Sequence, residues 1–327
     1  MMHPVMCSGP ARGALAGGKK FDFGRRLALA CLLAAGVSIQ WGCATANIGA
    51  DAADLEKAME ANHRAAIAML TNVNERARPF LIQQETREKA FSQSRLFLVS
   101  PDDIAAWDKI LTGLDNYCAA LSNFTSGKYP DNFTAATEAL ALNMQGLAQT
   151  ANFTPGSSAA ACQTAVTELG TILLKHQVNG TAVEIAKAAE PHFQSVVRGL
   201  IDALGFAGSP PSPADHGMLA SYEAGFEVFT AEQTKQFREG KIPEYETMTP
   251  TGRKTAISDF VAWQNLVREN QELVESLKTL AASLDKAAMA HTQLATGSEA
   301  SAAQAMAALR ADVQNASAIY QKYRQGG

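Results

Sequence analysis

The chain has no Cys-x-x-Cys pair, no His-Glu-x-x-His, no Gly-x-Ser-x-Gly, no phosphate-cradling Gly-Lys-Ser/Thr loop and no dinucleotide-type glycine cluster. Each of those spacings sets metal ligands, a nucleophile or backbone N–H groups in the geometry their chemistry needs. Without them no catalytic residue and no cofactor can be assigned, and a non-enzymatic protein is expected. Aromatic residues make up only 7% of the chain. No segment alternates apolar and polar residues for long enough to predict a strand. Basic runs are also missing from the body. Arg12, Lys19, Lys20, Arg25 and Arg26 stand against Asp22 in residues 1–43, so the whole-chain charge of -4 becomes -8 without them. An acidic body lacks the clustered Lys and Arg that bind nucleic acid or an anionic lipid surface.

What is present begins at Arg25-Arg26, followed by an apolar run from Leu27 to Ile39 and then Gly42-Cys43. A basic flank, an apolar stretch and a small-residue cleavage site, in that order, are the parts of a secretory signal peptide. The run is shorter than the roughly 20 apolar residues that span a bilayer. Gly42-Cys43 resembles the lipobox of a bacterial lipoprotein, with Gln40 and Trp41 where that family usually has an aliphatic and a small residue. The resemblance implies cleavage before Cys43, a lipid on Cys43 as the new first residue and, with Ala44 following it, sorting to the periplasmic face of an outer membrane. The alternatives are a plain signal cut near Ala44-Thr45-Ala46 and an uncleaved anchor. On the lipobox reading, residues 1–42 are the signal peptide and 43–50 the lipidated cysteine with a short tether.

Five cysteines occur in all. Cys7 and Cys31 leave with the signal and Cys43 carries lipid, so Cys118 and Cys162 remain. An even remainder in an oxidising compartment points to a Cys118–Cys162 disulfide, the alternative being two buried thiols.

The body reads as all-α, an elongated bundle of about eight helices. Leu55, Met59, Ala66, Leu70, Val73, Ala77 and Phe80 keep one face of a first helix apolar from near Asp51, and Pro79 is expected to kink or split it. Ser100-Pro101-Asp102-Asp103 starts a second, in which Ile104, Trp107, Leu111, Leu114, Cys118 and Leu121 step by three and four. Phe133, Leu140, Met144 and Leu147 mark a third. A fourth carries Cys162, Val166, Leu169, Leu173 and His176. Thr181-Ala182-Val183-Glu184 matches a capping box for a fifth, bent at Pro191. Gly208-Ser209-Pro210-Pro211-Ser212-Pro213 reads as a hinge between a helical subdomain at 51–207 and a second helical segment at 214–327. A sixth helix ends near Glu239, and a linker follows from Ile242 to Pro250. The longest helix then begins at Thr251, about 65 Å at 1.5 Å per residue, and Gly297 separates it from the last.

Glu60-Ala61-Asn62-His63 has the Glu-x-x-His spacing of di-iron bundles, but those need a second copy and two more glutamates, so a solvated face and no metal is expected. His176, His291 and Asn270 lie on apolar stripes, where a hydrogen-bonded histidine or a register-setting amide is the expected role. Three Asn-Phe-Thr triplets, at 123, 132 and 152, and Asn179-Gly180-Thr181 read as helix ends with Phe in the core. The charge-poor stretch from Leu111 to Gly170 reads as buried. The function these features predict is that of an envelope lipoprotein serving as a structural or interaction module. Its partner is the membrane through its lipid, with an envelope protein or another copy of itself held in helical grooves. A helical binding protein for a small or lipidic ligand or a metal is the alternative.

Overall fold

A computed structural model of the chain describes residues 23–88, 96–125, 158–176, 181–296 and 299–324, with 23–47 described by backbone alone. The chain is all-α. Seven helices are described: α1 Phe23–Glu88, α2 Pro101–Thr125, α3 Ser158–Lys175, α4 Ala182–Leu204, α5 Gly217–Gln236, α6 Pro250–Thr296 and α7 Glu299–Arg324. The helix expected around residues 133–147, with the triplets at 132 and 152, lies outside the described residues. Residues 46–327 form one compact unit and 1–45 another. Among the described residues no helix is long and apolar enough to cross a membrane.

α4 shows how the sequence builds the core. Thr181 accepts from the Glu184 backbone N–H while the Glu184 carboxylate accepts from the Thr181 N–H, the reciprocal cap expected from the sequence. Gly205 ends the helix in the left-handed conformation and donates to Asp202 and Ile201. Ten of the residues between them are buried, Phe193, Val197, Leu200 and Leu204 included, and the helix packs against both α3 and α6. Ser100 likewise caps α2, accepting from the Asp103 N–H at 3.0 Å.

Several elements differ from the sequence reading. Helix α1 runs through residues 44–50, read as a tether, and through Pro79, which does not split it; Ala44, Ala46 and Ala50 favour helix. At 66 residues α1, not α6, is the longest described helix. The proline-rich 208–213 segment is not a boundary between units. It is the tip of a hairpin, with Phe206–Ala207 (β1) antiparallel to Ser212–Pro213 (β2) and a cis Ser209–Pro210 peptide bond. Side-chain bonds hold it to the bundle. Ser209 Oγ donates to Asp285 on α6 at 3.0 Å, and Arg198 of α4 pairs with the same buried carboxylate at 2.5 Å. The 242–250 linker is shorter than expected, because α5 continues through a π-helical turn at Phe237–Lys241 and a helical turn at Ile242–Glu244.

Candidate functional site

Three places concentrate chemistry, and two of them are helix fasteners. The first lies between α2, α4 and α6. His291 is fully buried and its ring stacks on Phe193, with centroids 4.2 Å apart. Its Nδ1–H donates to Glu190 Oε2 at 2.5 Å, which leaves Nε2 to accept from the Tyr117 hydroxyl at 2.7 Å. Thr292 Oγ1 donates to the other Glu190 oxygen, and Gln194 Nε2 donates to the Ala288 carbonyl at 2.8 Å. Burial holds His291 below the usual imidazole range against the pull of Glu190. Burial works to raise Glu190, but its bonds from His291 and Thr292 outweigh that and hold it low. A tyrosine, a neutral imidazole and a carboxylate in line resemble a proton relay, but Tyr117 and His291 have no exposed surface for a substrate to reach. The array sets the register of three helices, the role expected for a histidine on an apolar stripe.

The second fastener joins α1 to α2. His63 Nδ1 lies 2.6 Å from Asp115 and Nε2 2.9 Å from Asp108, while Glu60 pairs with Arg64. Glu60 and His63 therefore do not converge on one point. Burial pulls His63 down, yet the two carboxylates outweigh it and its pKa is raised. An imidazolium held this way contributes stability below its unfolded pKa of about 6.5, and that contribution disappears as pH rises through the higher folded value. Chemical denaturation across that range should show the parent losing stability relative to His63→Ala as pH rises; parallel pH profiles would contradict the clamp.

Cys118 and Cys162 do not form the expected disulfide and are free, buried thiols. Cys162 on α3 directs its Sγ to the Val196 carbonyl of α4 at 3.7 Å, whereas the acids that act on Cys118 are Asp115 and Glu56, the latter on α1. The two thiols thus face different neighbours. Burial pushes Cys162 up to about 12 and Cys118 well above the ordinary thiol range, so neither is a nucleophile at neutral pH. His176 is half-buried just past the end of α3, and the Asn270 Oδ1 is buried without a partner. The Cys43 side chain lies outside the described residues.

The third place is open. At the end of α5, the π turn and the first third of α6 enclose a cleft of about 400 Å³. Phe229, Phe237, Trp263 and Leu266 form its walls, and Gln233 and Lys241 lie at its edge. Phe237, Phe260 and Trp263 pack with centroids 5.6–5.8 Å apart, and Lys241, ion-paired to Asp259, lies 5.3 Å over the Phe237 ring. Phe237 opens the π turn, and its ring packs on Phe260 and Trp263 of α6. Next to this cleft α6 leaves Ile257, Phe260 and Val261 at 52, 43 and 51% exposure. The sequence reading passed over Phe237 and Phe260. The available signal was a second apolar face on α6, since 257, 260 and 261 follow the i, i+3, i+4 spacing.

Among the described residues no three His, Cys, Asp or Glu side chains are grouped to hold a metal ion. Comparison of the chain with family models, with curated proteins and with solved structures finds no match.

Proposed function

We infer that this chain is a lipid-tethered, non-enzymatic helical module of the cell envelope, anchored through Cys43 to the periplasmic face of an outer membrane and working by holding a protein on its α5–α6 end. The observation that carries the interaction part is the pairing of the aromatic cleft with the exposed Ile257–Val261 face. Large apolar side chains grouped on a surface mark a contact site, whereas scattered ones do not. A helical ligand-binding protein, the alternative, would need a pocket in the bundle interior. At His291 that space is filled by Phe193 and Tyr117.

The test uses the full chain with its signal, expressed in a bacterium with an outer membrane. Intact mass from the membrane fraction should begin at Cys43, carry acyl chains and match free thiols at Cys118 and Cys162. A chain cut at Ala44 or Ala46, or one keeping residues 1–42, removes the tether from the reading. A photo-crosslinking amino acid at Gln264, on the exposed face, should give a protein adduct, and the same group at Lys187 on α4 should not. Absence of any adduct at 264 removes the interaction role.

A further inference from the structure

We propose that the partner of the exposed α6 face is the same face of a second copy, the two helices running antiparallel about Gln264. The proposal rests on the reading of this end as an interaction site and names its occupant.

One exposed stripe runs along α6 between 253 and 275. Ile257, Val261, Gln264, Arg268 and Glu275 recur at steps of three, four and seven, and all are exposed. Arg253 and Lys254 precede the apolar group, and Arg268, paired with Glu272, and then Glu275 follow it. A parallel pair would set Lys254 beside Lys254 and Glu275 beside Glu275. An antiparallel pair centred on Gln264 reverses this and brings Arg253 and Lys254 of one copy to Glu275 of the other. It also places Phe260 opposite Arg268, where a guanidinium can lie on the ring face. Opposite charges at the two ends set both orientation and register. The acidic end also disfavours an anionic lipid surface as the occupant.

A two-fold pair uses each contact twice, which suits a patch whose two ends complement each other. The contact is one helix face about 34 Å long, at the small end of stable interfaces. Lipid-tethered copies confined to one surface meet at a far higher effective concentration than free ones, which allows so small a face to suffice.

The experiment places Gln264→Cys in the full chain, in membranes, and reads disulfide-linked dimer after mild oxidation. The two 264 positions face each other, so dimer should form, while the parent and Lys187→Cys stay monomeric. Val261→Lys, at a half-exposed position beside Arg268 of the other copy, should reduce the dimer at least tenfold without unfolding the chain. Lys254→Glu alone should reduce it roughly fivefold, because each weak exposed pair is counted twice. Adding Glu275→Lys should restore it to within about twofold, a recovery that a purely local effect of either change does not give. Equal dimer from Lys187→Cys, or no rescue in the double reversal, overturns the proposal. A photo-adduct at 264 to a different protein, with no dimer from Gln264→Cys, overturns it while leaving the interaction site standing. No adduct of any kind overturns both.

Discussion

Gly217→Ala should lower stability by about 3–5 kcal/mol, the largest loss expected from so small a change in this chain. Gly217 opens α5 with φ +83°, and its missing side chain makes room for the end of α4. A Cβ built there would lie 2.7 Å from the Gly205 Cα and 2.8 Å from the Gly205 N and the Asp202 O. All three are backbone atoms, so no rotamer change relieves the contact. Left-handed strain contributes about 1–3 kcal/mol and forced overpacking a similar amount. The two helices would have to separate where the hairpin that links them is tied back to Asp285. In a body of this size the melting temperature should fall by roughly 10 °C. Two other glycines separate the causes. Gly208 has φ +86° but its nearest contact would be the Pro210 carbonyl at 3.5 Å, so Gly208→Ala should show strain alone, about 1 kcal/mol. Gly240 has nothing within 4 Å and a helical φ, so Gly240→Ala should be neutral or stabilising. If all three behave alike in urea denaturation, the close crossing of α4 and α5 is not what demands glycine at 217.

His291→Ala should cost about 3–5 kcal/mol, for two reasons that can be separated. It opens a cavity against Phe193, and it leaves the fully buried Tyr117 hydroxyl without an acceptor. Tyr117→Phe alone should cost about 1 kcal/mol. Combined with His291→Ala it should add little, because the orphaned hydroxyl is then gone. Independent, additive losses would show that the two side chains do not act as one unit. The same site has a pH signature. His291 has a folded pKa below its ordinary 6.5, so an unfolded chain takes up a proton on acidification that the folded chain refuses. The stability this site contributes is therefore present above pH 6.5 and lost as pH falls through the folded value. Glu190, also held low, loses its contribution in the same direction below its ordinary 4.5. His63 acts in the opposite sense, so the comparison must be between parent and variant at each pH. Removing His291 should flatten the acid limb, and removing His63 should flatten the decline toward neutral and higher pH.

The helical class and most of its elements were legible because they rest on local rules. The Thr181–Glu184 and Ser100–Asp103 caps satisfy orphaned N–H groups within three residues of themselves, and a stripe such as Ile104 to Leu121 needs only the helical period to declare its buried face. His291 as a buried, bonded polar residue was legible for the same reason, an imidazole set in an apolar stripe. Pro79 shows where local reading fails. One lost backbone bond is a small penalty beside the burial of Met69, Val73, Ala77 and Phe80 on the same helix, and the packing of the whole face keeps the helix continuous. The prolines at 210–213 misled in the same way. Their stiffness was plain, but a stiff segment serves equally as a hinge or as a clamped hairpin, and it is Asp285, some 70 residues away in sequence, that makes it the latter.

Sequence alone determined where most of the helices lie, which of their faces are apolar, where several of them begin, and the signal-like order of Arg25 to Cys43, because each of these follows from interactions within a few turns of chain. Tertiary structure alone decided which polar groups meet: Tyr117 with His291 and Glu190, His63 with Asp108 and Asp115, and two cysteines turned to different neighbours rather than to each other. It also decided which apolar face of α6 is covered and which is left open. Periodicity declares a face apolar, but only the positions of the other helices determine whether anything in the chain lies against it.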